Sequence, residues 1–241
     1  MREQTAPFPD LALAAVGERL TARWEQRLPG LLRRLGLPLD GVVQVGAHTG
    51  QEVAALTGCG FRRLVMVEPN IDHVPELRRQ LDEHHLPAGL PEPADGLPAR
   101  EVVVAAAGRS RGEATLHVTR WDQQASTLQP LLPLSARNSV VRQDTVPVLP
   151  VRDIQRGCNV LVVDAQGSEL DVLAGTDLEA MDLAVIEGST SARYQDGSTL
   201  DEIATHMRGN GWRHVAVWDH VRPNVADVAW LAPGRESPPA T

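Results

Sequence analysis

Val42-Val43-Gln44-Val45-Gly46-Ala47-His48-Thr49-Gly50-Gln51-Glu52 runs from an apolar segment through two glycines into a helical pattern. A second apolar run, Leu64-Val65-Met66-Val67, ends in Glu68, 22 residues after Gly46. A glycine turn between strand and helix lets the backbone approach a ligand closely. An acid at the tip of the next strand accepts hydrogen bonds from ribose hydroxyls. The stretch therefore predicts a βαβ unit that holds an adenosine-bearing cofactor, and by itself it does not say which one.

The alternation continues on both sides. Helices are expected at Gln51–Leu56 and Val74–His84, and strands at Leu64–Glu68 and Glu101–Ala106, with a Pro-rich loop (Pro87, Pro91, Pro93, Pro98) before the latter. Strand Val160–Asp164, helix Glu169–Ala174, strand Leu183–Glu187 and helix Leu200–Asn210 extend the series. Short Val-rich runs alternating with helices predict an α/β fold, a parallel sheet covered on both faces with right-handed crossovers. The end of the chain breaks the rhythm. His214–Trp218 and Val228–Leu231 both read as strands, with about nine residues and no helical pattern between them. A parallel crossover needs a dozen or more residues, so these two strands are expected to pair antiparallel. A mostly parallel seven-stranded Rossmann-like sheet closed by an antiparallel C-terminal hairpin is the architecture of class I methyltransferases. Nicotinamide dehydrogenase domains usually keep their strands parallel.

Ahead of the sheet, Asp10 reads as the N-cap of a helix with apolar positions Leu11, Ala14, Ala15, Leu20, Trp24 and Leu28. Pro29-Gly30 is expected to interrupt that helix, and Gly36 and Pro38 to stop its continuation. Residues 1–38 thus form a helical arm, packed on the sheet edge or serving as a lid over the cofactor. A catalytic domain at 39–233 and a flexible tail at 234–241 follow. The segment Thr119–Pro150 is polar, Pro-punctuated and irregular, and is expected to shape the pocket of a second substrate.

At 241 residues the chain is long enough to bury a full core in one α/β domain, and 42% hydrophobic with 22% charged residues is ordinary globular usage. A net charge of −8 and 3% aromatics argue against a nucleic-acid partner, which needs clustered cations and stacking surfaces. No apolar run of about 18 residues is present to span a bilayer. The N-terminus lacks the apolar core of a signal peptide, so a cytoplasmic protein with Cys59 and Cys158 as free thiols is expected. A homodimer is one option for its assembly.

Asp164 follows Val160–Val163 and precedes a helix, which places it where ligands sit in such folds, outside the carboxyl ends of the strands. It is either a loop organiser or a functional carboxylate, and the second reading is preferred because packing does not explain an acid at that tip. Glu169 reads as a first-turn acid favoured by the helix dipole. Glu187 ends the next strand and faces the same crevice. Two carboxylates there hold the ammonium of a cofactor, act as general base on a substrate hydroxyl, bind a cation, or pair with an Arg. His48 contacts the cofactor, serves as base, or stands by. The remaining histidines show no metal-ligand spacing, so no metal site is expected.

Taken in order, several segments resemble the FkbM-type methyltransferases, a branch of the class I S-adenosylmethionine enzymes. These are Val42–Gly50, Val67-Glu68-Pro69-Asn70, Ala105-Ala106-Ala107-Gly108 with Gly112 beyond, Ala125-Ser126-Thr127-Leu128, Asp164–Gly175 and Val185-Ile186-Glu187. The resemblance covers about residues 40 to 232, and its most specific part is the Asp-x-Gln-Gly-x-Glu-x-x-x-Leu-x-Gly segment. It implies that Gly46, His48 and Gly50 wrap the methionine end of S-adenosylmethionine and that Glu68 holds the ribose, with Asn70 beside it. It implies that residues near Ala106 flank the adenine and that Ser126 lies near the cofactor or the substrate channel. Asp164 and Glu187 fall on the acids after the fourth and fifth strands, the first and second choices for a catalytic base. Members mostly methylate hydroxyls of sugars, polyketides and other secondary metabolites, and some modify peptide amides or nitrogens. The implied partner is a small-molecule acceptor.

Two positions depart from the family pattern. The usual acid two residues before the first glycine is Gln44, so a bond from it to the cofactor's ammonium is neutral and weaker. Arg152 stands where an aspartate is common, and reads as a surface ion-pair partner or as a contact to an acidic or phosphorylated substrate. O-methylation of a hydroxyl is the preferred reading. N-methylation of a peptide or amide, a nicotinamide-dependent oxidoreductase and a non-catalytic cofactor-binding subunit are the alternatives.

Overall fold

The computed structural model describes residues 19–20, 23–89, 95–120, 128, 139–191, 194–219 and 224–235. In chain order they form β1 (Arg19–Leu20), α1 (Trp24–Leu35), β2 (Val42–Val45), α2 (Val53–Cys59), β3 (Leu64–Val67), α3 (Val74–Glu83) and β4 (Arg100–Val103). Next come β5 (Ala106–Ala107), β6 (Gly112–Thr119), β7 (Val140–Leu149), β8 (Val160–Val163), α4 (Glu169–Ala174), β9 (Leu183–Ser189), α5 (Leu200–Gly209), β10 (Arg213–Asp219) and β11 (Val225–Leu231).

The large sheet has the order β1-β10-β11-β9-β8-β2-β3-β4. It is the expected mostly parallel seven-stranded sheet with the two-residue β1 added at one edge. The antiparallel hairpin is present with a particular placement, because β11 runs antiparallel to both β10 and β9 and lies between them. Strand parity sorts the side chains into two cores. Val43, Val45, Leu161, Val163, Ala184 and Ile186 pack with Val172, Leu200, Ile203 and Met207 from α4 and α5. Val42, Leu64, Met66, Val160, Val162 and Val185 pack with Trp24, Leu28, Leu56, Leu77 and Leu81 from α1, α2 and α3. All four residues of β2, β3 and β8 are buried, as central strands covered on both faces require.

Three expectations are corrected. Leu20 is not helical: Arg19–Leu20 pairs in parallel with Val217 and Trp218 of β10. Residues 1–18 of the expected arm lie outside the described residues. Pro29-Gly30 does not interrupt α1, which runs through both. The proline costs one backbone hydrogen bond, and the buried stripe of Trp24, Leu28, Leu31, Leu32 and Leu35 outweighs it. The segment Thr119–Pro150 is not wholly irregular, since Val140–Leu149 is a ten-residue strand pairing antiparallel with β6 from Gly112↔Val148 to Thr119↔Val140. With β5 these form a small second sheet, order β5-β7-β6, over a core of Ala106, Leu116, Val118 and Val146. Pro147 lies opposite Glu113 of β6 and just short of β5, which pairs only with Val148 and Leu149.

Candidate active site

The carboxyl ends of β2, β3, β8 and β9 converge on one crevice, and the close approach of β2 to β8 sets its floor. Gly46, at φ 79°, would carry a Cβ only 1.9 Å from the carbonyl oxygen of Asp164. The Gly46 and Ala47 amides both donate to the carbonyl of Val67, at 3.0 Å each, tying the turn to β3. Gly50 also has a positive φ, 82°, and packs against Leu77 and Gln80 of α3.

Glu68 is only 5% exposed, and each of its oxygens accepts a backbone N–H, from His48 at 2.8 Å and from Asn70 at 2.8 Å. A carboxylate oxygen has two acceptor positions, so Oε2 keeps one for a further donor. The two-residue spacing to Asn70 makes an Asx-like turn on the glutamate, and Asn70 Oδ1 in turn accepts the Asp72 amide at 3.1 Å. His73, which the sequence did not single out, belongs here: its Nδ1 lies 3.3 Å from Glu68 Oε1 and its ring packs on that of His48, centroids 3.9 Å apart. The residue is 5% exposed. Its signal was its place at the start of α3, one turn beyond Glu68.

The Asp-x-Gln-Gly segment acquires a geometric reason. Gln166 adopts φ 50°, which turns its side chain back towards the two strand tips. Its Nε2 donates to Asp164 Oδ1 and, at 3.3 Å, to Glu187 Oε1, so a single amide bridges both carboxylates. Its Oε1 accepts the hydroxyl of Tyr194, the one tyrosine of the chain. Gly167, at φ 106°, leaves room for that ring, since a Cβ would fall 2.7 Å from Tyr194 Cδ2. Tyr194 was not anticipated because it sits in the aperiodic stretch between β9 and α5. Gln166, Glu187, Ser189, Tyr194 and Ser198 line a small, half-open pocket. Behind it, Glu169 is 4% exposed and accepts the Gly167 amide at 2.9 Å, and burial pushes its carboxyl up to about 7. The expected first-turn acid is therefore a buried one.

Ala106 is placed in β5 within the small sheet, 4% exposed, and Ser126 lies outside the described residues. Among the described residues Arg152 makes no ion pair. Its guanidinium donates to the Arg109 carbonyl at 3.2 Å, and the neighbouring Asp153 pairs with Arg111 at 2.6 Å.

Asp227 is a third site member that went unnoticed. Cross-strand register puts it opposite Glu187, and Ala226 and Val228 on either side face α4 and α5, so its side chain turns to the α1–α3 face. It is 7% exposed and has no hydrogen-bond or ion-pair partner among the described residues. Burial first, then the charges of Asp164, Glu25 and Glu52, push its carboxyl up to about 8. The folded protein thus retains a proton that the unfolded chain releases near pH 4, and stability falls as pH rises from about 4 to about 8. Asp227→Asn is expected to match the wild type in urea unfolding at pH 4 and to exceed it by about 5 kcal/mol at pH 8. A difference that does not change with pH would refute the buried-proton account.

The Methyltransferase FkbM domain model matches residues 44–213. The chain belongs to the FkbM methyltransferase family. The match spans the glycine turn, the Glu68 cluster, the small sheet and the Asp164–Glu187 bridge, and it displaces the oxidoreductase reading. No curated protein gives a significant match. Among solved structures, a methyltransferase from Geobacter sulfurreducens is 17% identical, covering 89% of this chain and 81% of its own, with a TM-score of 0.45. The ribosomal protein L11 methylase of Lactobacillus delbrueckii subsp. bulgaricus is 10% identical, covering 88% and 80%, TM-score 0.44. An uncharacterised protein from Listeria monocytogenes serotype 4b is 9% identical, covering 92% and 72%, TM-score 0.48. No helix among the described residues of this FkbM-family protein is long and apolar enough to cross a membrane.

Proposed function

We infer that this FkbM-family methyltransferase moves the methyl group of S-adenosylmethionine to a hydroxyl oxygen of a small acceptor, a secondary metabolite or sugar. The observation that carries the reading is the pair of carboxylates, Asp164 and Glu187, bridged by Gln166 at the strand tips.

The residues present fit the cofactor. Gly46 and Gly50 keep side chains out of the turn, and Glu68 keeps an acceptor position on Oε2 for a ribose hydroxyl. When bound, the cofactor supplies an electrophilic methyl on a sulfonium. The protein's own tasks are then positioning the acceptor and taking up its proton. Asp164 suits proton removal because the Gln166 amide fixes the carboxylate in one orientation without protonating it. Glu187, held by the same amide, is the second choice. A hydroxyl acceptor is favoured because its proton must leave as the new bond forms, which a half-buried carboxylate at the strand tip accomplishes.

Thermal unfolding with saturating S-adenosylhomocysteine tests the cofactor. At a hundredfold excess over its dissociation constant such a ligand adds about 2.7 kcal/mol, or roughly 5–10 °C in midpoint. Saturating NAD is expected to give no shift. Methyl transfer to a panel of hydroxylated compounds against matched amines and amides then decides the acceptor class, and transfer confined to nitrogen would sink the hydroxyl assignment.

A further inference from the structure

The position two residues before Gly46 carries no charge, yet the structure shows where a charge stands instead. Gln44 is 3% exposed, on the face of β2 that looks towards α2, and its Nε2 donates to Glu52 Oε2 at 3.1 Å. That bond fixes the orientation of the amide, because only its nitrogen end can donate to a carboxylate. Its other end, Oε1, is then left buried without a hydrogen-bond partner. A buried carbonyl left without a donor is destabilising, so the atom marks a place where a donor from outside the chain belongs.

The charges around this atom name the donor's sign. Glu52 stands at the head of α2, where burial, the largest cause, pushes its carboxyl above the usual range and the charge of Glu25 adds to the rise. Asp227, buried and without a partner among the described residues, feels both Glu25 and Glu52. The cation in reach is Arg23, 67% exposed and paired with Glu25 at 3.4 Å. Glu52, Glu25 and Asp227 therefore lie within electrostatic reach of one another, with the orphaned amide oxygen beside Glu52. A compact group with several N–H donors and a positive charge satisfies them together.

We propose that Glu52, held in place by Gln44, is the residue that binds the α-ammonium of the cofactor, the anchoring charge having moved from the tip of β2 to the start of α2. Gln44 contributes its free oxygen as a second acceptor. The proposal rests on the S-adenosylmethionine reading above, and it assigns to a pair of residues what a single acid at position 44 would otherwise do.

Two ligands separate this role from a general one. S-adenosylhomocysteine carries the amino-acid end, whereas 5′-methylthioadenosine has the same nucleoside and thioether without it. Titration calorimetry of wild type, Glu52→Gln and the double variant Gln44→Glu/Glu52→Gln with both compounds makes the comparison, with unfolding midpoints of the free proteins recorded alongside. Glu52→Gln is expected to lose roughly tenfold to a hundredfold in affinity for S-adenosylhomocysteine while binding methylthioadenosine as the wild type does. The double variant, with its acid back at position 44, is expected to recover most of that loss. Undiminished affinity of Glu52→Gln for S-adenosylhomocysteine overturns the proposal, as does an equal loss for both compounds. Wild-type protein that binds neither compound overturns the cofactor reading and this assignment with it.

Discussion

Gly46→Ala is expected to lose roughly 4 kcal/mol or more of folding stability, which for many single domains is most of the total. Two independent costs add. The residue sits at φ 79°, a region that L side chains rarely adopt. Its Cβ would also lie 1.9 Å from the Asp164 carbonyl oxygen and 2.9 Å from the carbonyl carbon. Those atoms are backbone, held by the bond from the Asp164 amide to the Val45 carbonyl at 3.0 Å, so no flexible side chain can swing aside. Relief would require parting β2 from β8 at the centre of the sheet, where Val45 pairs with Val163. Gly30→Ala in α1 is the control, because a Cβ there meets nothing within 4 Å and alanine favours a helix interior by up to about 1 kcal/mol. Urea unfolding midpoints of the two variants should move in opposite directions. A wild-type midpoint for Gly46→Ala would mean that β2 and β8 are not in the described contact.

The second large effect concerns chemistry rather than folding. Asp164→Asn is expected to lower kcat by about two to four orders of magnitude on a hydroxyl acceptor of the wild-type enzyme, which is the range for removing a positioned base. Asparagine keeps an oxygen where Asp164 Oδ1 accepts from Gln166, so the bridge to Glu187 survives and the free protein should unfold near the wild-type midpoint. Glu187→Gln provides the comparison, with a smaller expected loss. If Asp164→Asn turns over normally and Glu187→Gln does not, the base is Glu187. Normal turnover in both variants would remove the carboxylates from the proton transfer altogether.

What could be read from the chain, and what could not, follows from range. The central strands were legible because burial on both faces leaves four-residue runs such as Val160-Leu161-Val162-Val163 that suit little else. The hairpin was legible from the length of a connection. The small sheet was not, because β7 exposes most of its residues, carries Arg142, Gln143 and Asp144 in succession and includes Pro147. Its stability comes from pairing with β6 and from a four-residue core, neither of which leaves a local period. The two-residue β1 is shorter than any periodicity.

The site divides in the same way. Asp164 and Glu187 stand at strand tips, and topology alone brings them to one edge. Gln166 as their bridge needed a left-handed φ that no composition announces, and Tyr194 reaches it from 28 residues away. Asp227 was hidden by reading Val228 as the first residue of a strand that begins at Val225. Once the strand is extended, alternation alone turns Asp227 away from α4 and α5. The Gln44–Glu52 pair joins residues eight apart across a turn, and only the folded turn shows that a missing acid has a substitute nearby.

The last strand in the sequence is not the last in space. Until residues 225–231 have been synthesised, β9 has a bare edge and β10 has only the two residues of β1 beside it. All seven residues of β11 are buried, so the half of the sheet beyond β9 has neither its hydrogen bonds nor its apolar filling while the chain is incomplete. Assembly is thereby ordered in time. Strands β2, β3 and β8, with the glycine turn and the Asp164 loop, have both their neighbours first, and β9 gains its second only when β11 slots in beside it.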